Sequence, residues 1–270
     1  MHDDSTFWDS LDPRYRLILC DIWGVVHDGH RLYPGASERL RHWRQEGRFV
    51  LLITNAPRTA EAVRQHLERL ELPREAWDAI ATSGDAGIAG LLALGTPIGF
   101  IGTKSDRAIL EGQGVEIAQT DFSDIGVTGL REGQPAAEDY ADELRELAAR
   151  GVRFHCLNPD RIVIHGGQTM VCAGALADAY EALGGKVVWY GKPCGPIYRH
   201  ALSLAGNPAP ENVLAVGDGL QTDILGAARM GFDAVFVAGG IHEGEPFPED
   251  FAMRHGLDRF QPLSVVYSLR

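Results

Sequence analysis

The chain reads Leu17-Ile18-Leu19-Cys20-Asp21-Ile22-Trp23-Gly24 near its start. The short apolar run that opens this stretch predicts a buried strand, and Asp21 stands where that strand ends. In open sheets of the α/β class, ligands bind outside the carboxyl ends of the strands. We therefore expect Asp21 to lie at a binding crevice.

Three later segments carry polar residues suited to the same crevice. They are Ile53-Thr54-Asn55, Gly191-Lys192-Pro193 and Gly217-Asp218-Gly219-Leu220-Gln221-Thr222-Asp223. Asp21 and Asp218 offer the oxygen ligands that Mg²⁺ prefers, and Asp223 could complete the metal shell or cap the next helix. A carboxylate that attacks a phosphate dianion needs a metal and fixed donors to neutralise the charge. Thr54 could supply a hydroxyl and Lys192 a compact cation to the phosphoryl oxygens, so the set predicts phosphoryl transfer.

Short β-branched runs alternate with amphipathic stretches along the chain, which predicts parallel strands joined by crossover helices. The stretch from 83 to 186 carries an α/β series of its own and has the size of an independent domain. The prediction is an α/β core in two parts, 1–82 and 187–270, with 83–186 inserted between them as a cap. The expected core strands are Leu17–Cys20, Phe49–Ile53, Ala79–Ala81, Val187–Tyr190, Val213–Val216 and Ala234–Val237.

The bulk composition argues against several classes of protein. The 270 residues are 45% hydrophobic, which is enough for a substantial core. A net charge of −12 argues against a surface for nucleic acid or anionic membrane. No apolar run reaches the roughly 20 residues that span a bilayer, and the acidic start lacks the order of a secretory signal. We expect a cytoplasmic protein whose four cysteines, which lack Cys-x-x-Cys spacing, are reduced.

In their order, the four polar segments resemble the motifs of the haloacid dehalogenase superfamily, most of whose members transfer phosphoryl groups through an aspartyl-phosphate intermediate. Each segment alone suits an ordinary loop, whereas the set of four in this order is specific. Tyr33-Pro34-Gly35-Ala36 and Leu157-Asn158-Pro159-Asp160 narrow the resemblance to the subclass IIA phosphatases, which act on small phosphorylated metabolites. The resemblance implies a Rossmann-like core and an inserted α/β cap, through which members of this subclass often form dimers.

The resemblance also implies roles for individual positions. Asp21 would be the nucleophile and a magnesium ligand, Asp218 would be a second ligand, and Trp23 would contribute its backbone carbonyl to the ion. The cap would select the organic part of the substrate. The candidate substrate contacts are Asn55, Arg58, Asn158 and Asp160.

Trp23 departs from the phosphatase pattern, in which a second aspartate occupies this position. An indole can neither protonate a leaving oxygen nor activate the water that hydrolyses the aspartyl-phosphate, and such general acid–base catalysis is worth about 10²–10⁴-fold. We therefore expect slow turnover that favours leaving groups of low basicity. Substitute proton donors are His27 and Asp28 after the nucleophile, and Asp160 or His165 in the cap.

Two other functions fit the same residues. The first is a protein that binds a phosphorylated metabolite without catalysis, although a pure binder gains little from keeping Asp21 against a phosphate. The second is a dehalogenase, because an aromatic residue at position 23 also resembles the enzymes that attack carbon without a metal. Asp218 and Asp223 argue against the dehalogenase, since displacement at carbon does not require an acidic metal-type motif.

Overall fold

The computed structural model describes residues 4–165, 168–239 and 247–270. The chain forms two compact units, and neither of them is one continuous segment. The second unit therefore extends beyond the predicted boundary at 187 and includes a short segment from the first part of the chain. The first unit comprises Met1–Thr54, Ala60–Ala81 and Tyr198–Arg270, and the second comprises Asn55–Thr59 and Thr82–Ile197.

Strands and helices alternate along the chain, and no helix among the described residues is long and apolar enough to cross a membrane. The strands are β1 (Leu17–Asp21), β2 (Phe49–Thr54), β3 (Ala79–Thr82), β4 (Gly99–Ile101), β5 (Asp124–Val127), β6 (Arg153–Cys156), β7 (Ile162–His165), β8 (Gln168–Val171), β9 (Lys186–Trp189), β10 (Val213–Gly217), β11 (Asp233–Val237) and β12 (Ser264–Val266). The α-helices are α1 (Ser5–Asp9), α2 (Ala36–Gln45), α3 (Ala60–Arg69), α4 (Ser83–Leu92), α5 (Lys104–Gly112), α6 (Ala141–Ala149), α7 (Ala173–Ala182), α8 (Gly195–Leu204), α9 (Leu225–Met230) and α10 (Phe251–Arg254).

A six-stranded sheet in the order β12-β11-β10-β1-β2-β3 forms the centre of the first unit. The pairs from β12 to β2 are parallel, and Leu17 of β1 lies opposite both Val213 of β10 and Phe49 of β2. β1 and β10 are buried along their whole length, as the central strands of a covered parallel sheet are. The predicted α/β class with a parallel core sheet is confirmed. This register brings the residues that end or follow β1, β2 and β10 to one edge of the sheet.

Helix α2 packs beside β2 through an apolar face. Its buried residues Ala36, Leu40 and Trp43 are spaced at the intervals that place side chains on one side of a helix. Trp8 of α1 meets Trp43 edge to face at 5.2 Å between ring centroids, and its indole N–H donates to the carbonyl of Ser268 at 3.0 Å. Buried Trp8 thus joins α1 both to α2 and to the segment at Ser268.

The second unit contains a parallel sheet in the order β4-β5-β6-β9 and a separate antiparallel hairpin of β7 and β8. Phe154 of β6 stacks on Tyr180 of α7 in its apolar core, at 5.2 Å between ring centroids. The prediction that Val187–Tyr190 forms a strand of the core sheet is wrong, because β9 pairs with β6. A β-branched run predicts a strand, but it does not say which sheet the strand joins.

Three glycines give α4 a low helix propensity, and the packing of the second unit shows what offsets it. A Cβ atom at Gly87 would lie 2.3 Å from Leu157 Cγ, and one at Gly90 would lie 2.2 Å from the hydroxyl oxygen of Tyr190. Thr82 caps the helix by accepting the N–H of Asp85 at 2.8 Å. The glycines therefore let α4 lie close to its neighbours, which offsets their low helix propensity.

None of the four cysteines forms a disulfide, as expected. Cys20, Cys156 and Cys172 are buried, and Cys194 is partly exposed. Burial raises the pKa of the Cys156 thiol and raises the pKa of Cys172 to about 11. Cys156 and Cys172 therefore stay protonated and act as small apolar side chains.

Candidate active site

Three buried carboxylates meet at the carboxyl edge of the first sheet. Asp21 is the last residue of β1, Asp218 directly follows β10, and Asp223 lies in a π-helical turn, Leu220–Ile224, that leads into α9. One oxygen from each carboxylate lies within 4.8 Å of the other two. Three like charges are costly to bury at this spacing unless a cation lies among them. Carboxylate oxygens are the donors that Mg²⁺ prefers, so this set fits the predicted ion.

The loop after β1 approaches Asp218 through its backbone. Gly24 has a φ of +88°, and a Cβ atom there would lie 1.9 Å from Asp218 Oδ2. Both the φ angle and the space exclude other residues at this position. Trp23 precedes Gly24 directly, so its carbonyl group is bonded to the residue that lies against Asp218.

Asp223 is oriented by its own turn. Its Oδ2 accepts the N–H of Gly219 at 3.2 Å and the hydroxyl of Thr222 at 3.1 Å. These donors precede Asp223 in the chain, and α9 has no side-chain cap at its start. The Asp223 carboxylate thus holds the first residues of this turn, and it also lies with those of Asp21 and Asp218.

Thr54, the predicted phosphate-binding hydroxyl, is the last residue of β2 and is half-buried. β2 is the neighbour of β1, and Asp21 lies opposite Ile53 in their register. Thr54 therefore extends one residue beyond the partner of Asp21. The structure places this hydroxyl-bearing residue at the same sheet edge as the carboxylates.

The Trp23 side chain is 38% exposed, although the other indoles of the first unit are buried. A Cβ atom at Gly29 would lie 2.4 Å from the Trp23 ring, so the ring packs directly on this backbone. The ring also meets His27 edge to face, at 5.5 Å between centroids. Trp23 thus has a fixed place on the turn that follows Asp21.

Neither substitute donor on this turn is suited to protonate a leaving group. His27 is buried, and its Nδ1 accepts the N–H of Gly29 at 2.9 Å. Burial, with His66 close by, lowers the pKa of His27 to about 4, so the imidazole is neutral near pH 7. Asp28 accepts the N–H groups of His30 and Arg31 at 2.9 Å each, and these bonds lower its pKa. Its carboxyl group therefore carries no proton to donate near neutral pH.

Within the second unit, Asn55 joins two distant segments of the chain. Its Oδ1 accepts the backbone N–H of Lys192 at 2.7 Å, and its Nδ2 lies 3.4 Å from the carbonyl of Lys192. The same Nδ2 donates to Asp160 Oδ1 at 2.9 Å. The side chain is buried, and its acceptor and both its donor hydrogens have partners in the protein. Asn55 thus differs from the expected substrate contact, because its amide is used internally.

The remaining predicted contacts of the second unit differ in exposure. Asn158 is buried, and its Oδ1 accepts the N–H of Asp160 at 3.3 Å, so it shapes the loop that carries Asp160. The Arg58 side chain is exposed and has no ion pair with the residues that the structure describes. The side chain of His165 lies outside the described part of the chain. The Arg58 side chain is therefore accessible from solution.

A row of hydrogen-bonded polar side chains begins at Tyr190, two residues before Lys192. It was not predicted from the sequence. His155 Nδ1 lies 2.9 Å from the Tyr190 hydroxyl, and His155 Nε2 lies 2.7 Å from Asp124 Oδ1. Arg153 also binds Asp124, at 2.6 and 3.2 Å. Desolvation lowers the pKa of His155, so the neutral ring donates from Nε2 to the carboxylate and accepts from Tyr190 at Nδ1. The available signal was the alternation of Arg153 and His155, which places both on one face of β6.

Two family models match this chain. Residues 18–116 match a model described as haloacid dehalogenase-like hydrolase, and residues 189–261 match a model described as HAD-hydrolase-like. The two matches contain Asp21, Thr54, Lys192, Asp218 and Asp223.

Curated and solved relatives cover most of the chain. A crystal structure from Brucella suis 1330, described as a hydrolase of the haloacid dehalogenase-like family, is 35% identical, covers 97% of this chain and 98% of its own, and has a TM-score of 0.79. Ribonucleotide monophosphatase NagD of Escherichia coli K12 is 26% identical over 83% of this chain and 88% of its own length. The 5'-nucleotidase YutF of Bacillus subtilis 168 is 25% identical over 90% of this chain and 95% of its own length.

Proposed function

The chain belongs to the haloacid dehalogenase-like family of hydrolases, and we propose that it is a magnesium-dependent phosphatase of small phosphorylated metabolites. The names of NagD and YutF support hydrolysis of phosphate esters. The observation that carries the proposal is the group of three buried carboxylates whose oxygens lie within 4.8 Å of one another. A phosphate dianion can approach such a group only when a cation neutralises it.

In the proposed reaction, a carboxylate oxygen of Asp21 attacks phosphorus and the bond to the leaving oxygen breaks. Water then hydrolyses the aspartyl-phosphate and regenerates the carboxylate. The Thr54 hydroxyl and the Lys192 ammonium hold the phosphoryl oxygens, on which the negative charge of the transition state is spread. Asp21, the Trp23 carbonyl, Asp218 and Asp223 would hold Mg²⁺, which supplies charge neutralisation between nucleophile and phosphate.

Trp23 makes leaving-group basicity the main determinant of rate. With an indole at this position, and with His27 neutral and Asp28 ionised, the turn after the nucleophile offers no acid near pH 7. An alkoxide that departs without a proton is a poor leaving group, whereas a nitrophenolate or an acyl carboxylate departs readily. We therefore propose slow turnover in which aryl and acyl phosphates react faster than alkyl phosphates.

The test is intact-mass spectrometry after rapid mixing of the protein with Mg²⁺ and acetyl phosphate or p-nitrophenyl phosphate. We expect an adduct with the mass of one phosphoryl group, slow release of phosphate, and no adduct for Asp21→Asn or without Mg²⁺. Fast release would mean that another residue supplies the proton. No adduct and no turnover, together with magnesium-dependent binding of phosphate, would instead support a non-catalytic binding protein.

The dehalogenase alternative has no support in the geometry, because displacement at carbon does not need three clustered carboxylates. The preference for a small metabolite over nucleic acid or membrane, the cytoplasmic location and a dimer formed through the cap stay predictions. Residues outside the carboxylate cluster select the organic group of the substrate. Among them, Arg58 has an exposed charge.

A further inference from the structure

We propose that Asn55 is a positioning residue that holds Lys192 in place for phosphoryl binding. This inference rests on the proposed function, in which the Lys192 ammonium neutralises phosphoryl oxygens. It assigns to Asn55 a role in the reaction without contact to the substrate. Three hydrogen bonds of one buried amide carry the argument.

The first step is that Asn55 binds the main chain of Lys192 on both sides. Its Oδ1 accepts the Lys192 N–H at 2.7 Å, and its Nδ2 lies 3.4 Å from the Lys192 carbonyl. A side-chain amide that pairs with the N–H and C=O of the same residue restricts both peptide planes around it. The direction in which the Lys192 side chain leaves the backbone is therefore set by Asn55.

The second step is that the surrounding loop leaves little room for adjustment. A Cβ atom at Gly191 would lie 2.4 Å from Pro159 Cγ and 2.6 Å from Asn55 Oδ1. Asp160, the residue after Pro159, accepts the second hydrogen of the Asn55 amide at 2.9 Å. Asn55, the loop at Pro159-Asp160 and Gly191-Lys192 thus form one close-packed group inside the second unit.

The third step concerns what a lysine needs at a phosphate. Its ammonium group is a point charge on a flexible stem of four carbons, which can adopt many rotamers. Stabilisation of developing charge depends on donors that are already in place before the reaction. Lys192 is only 3% exposed, so a shift of its backbone would move the buried stem as a whole.

Chain order gives the hydrogen bonds a further consequence. Asn55 follows Thr54 directly, and Thr54 supplies the other proposed phosphoryl ligand from a side chain. One peptide link and one side-chain amide therefore connect the hydroxyl donor to the residue that carries the ammonium. Lys192 is 137 positions away from Asn55 in sequence, so no local structure could make this connection.

The experiment is a double-mutant cycle on the rate of Asp21 phosphorylation, with Asn55→Ala, Lys192→Met and the pair. A misplaced charge at a reacting group can cost about 100-fold, so we expect Asn55→Ala to lower the rate about 10- to 100-fold when Lys192 is present. In the Lys192→Met background, the same change should lower the rate less than about threefold, because there is no ammonium left to misplace. Equal losses in both backgrounds would overturn the proposal.

Asn158→Ala is the matched control, since it removes another buried loop asparagine that bonds Asp160 but has no bond to Lys192. Its effect should be the same in both Lys192 backgrounds. The phosphoryl donor gives a second readout. Asn55→Ala should lower the rates with acetyl phosphate and with p-nitrophenyl phosphate by the same factor, because Lys192 meets the group that they share. Different factors for the two donors would assign Asn55 to the leaving group instead and overturn the positioning role.

Two further arms separate the possible failures. If Asn55→Ala does not fold, Asn55→Ser replaces it, because a serine hydroxyl stays polar but is too short to pair with both the N–H and the C=O of Lys192, so its loss of rate should also depend on Lys192. If the natural protein shows neither an Asp21 adduct nor turnover, the proposed function fails. The same cycle is then measured on the affinity for inorganic phosphate by calorimetry. Non-additive effects of the Asn55 and Lys192 substitutions on that affinity support the positioning role of Asn55, and additive effects overturn it.

Discussion

Trp23 occupies the position at which the reaction would need a carboxyl group, and its surroundings show how the indole is accommodated. Gly29 leaves the space that the ring fills, and His27 lies edge-on against it. The main chain at Trp23-Gly24 meanwhile stays next to Asp218. We therefore expect Trp23 to alter proton transfer while the backbone next to Asp218 stays in place.

Trp23→Asp should restore an acid and raise the turnover of alkyl phosphates. General acid catalysis contributes about 10²–10⁴-fold, so we expect an increase of at least about tenfold with glycerol phosphate and a smaller change with p-nitrophenyl phosphate. Steady-state kinetics on both substrates measures the ratio. Trp23→Asn is the control, because it has the same shape as aspartate but no carboxyl group. An equal rise in both variants would show that removing the indole, and not adding the acid, accelerates the reaction.

Gly24→Ala should abolish magnesium binding, because the added Cβ would lie 1.9 Å from Asp218 Oδ2. Gly47 provides a matched control in the same unit, with a φ of +82° against +88° at Gly24 and no atom within 4 Å of a Cβ. Gly47→Ala should cost about 1 kcal/mol of unfolding free energy from backbone strain and leave the magnesium affinity unchanged. Calorimetric titration with Mg²⁺ and urea unfolding of both variants measure the two effects. Magnesium affinity retained in Gly24→Ala would count against the assignment of Asp218 as a ligand.

Asp21 and Asp218 could be predicted as candidate metal ligands because each stands at a strand end that the local sequence marks. A buried strand followed by an acid is visible within a few residues, as at Asp21 and Asp218. The role of Asn55 could not be predicted in this way, since its partners Asp160 and Lys192 are 105 and 137 positions away. One sequence shows which side chain is present, but not whether its hydrogen bonds are already used.

At the scale of elements, the helices and strands of the first unit follow the predicted pattern closely, and the errors concern pairing and packing. β9 has the composition of a core strand, yet it joins the second sheet beside β6. α4 has three glycines with low helix propensity. It forms a helix nevertheless, because the glycines let it pack closely against neighbours that leave no room for side chains. Contacts with distant residues decide which sheet β9 joins. In α4, such contacts outweigh the low helix propensity of the glycines.

At the scale of the molecule, the chain passes between its two units four times, after Thr54, Thr59, Ala81 and Ile197. The sequence pattern predicted only two of these passages, because a segment of five residues is too short to show hydrophobic periodicity. The short segment Asn55–Thr59 belongs with the second unit through contacts such as those of Asn55 with Lys192.

The stability of the folded protein should fall as the pH drops below about 6.5. The pKa of buried His27 is lowered from 6.5 to about 4, so between these values the unfolded state binds a proton that the folded state does not. The buried His155 acts in the same direction. His27 alone contributes at most about 3 kcal/mol, fully present above pH 6.5 and lost toward pH 4. Urea unfolding between pH 7.5 and pH 4.5 measures the trend.

The control separates buried from exposed histidines. His27→Gln should flatten the fall in unfolding free energy between neutral and acid pH. His42→Gln replaces a half-exposed histidine beside Glu46 and should leave the slope as it is. If His27→Gln keeps the full slope, acid-sensitive groups elsewhere carry the effect and the burial argument for His27 is wrong.

The uneven burial of the cysteines has a practical consequence for following Lys192. Three thiols are enclosed, while Cys194 is partly exposed and lies two residues after Lys192. A maleimide dye should therefore attach at Cys194 before it reaches the other three. The natural chain thus carries an attachment point for a fluorescent reporter on the loop that Asn55 holds, and no cysteine has to be introduced or removed to use it.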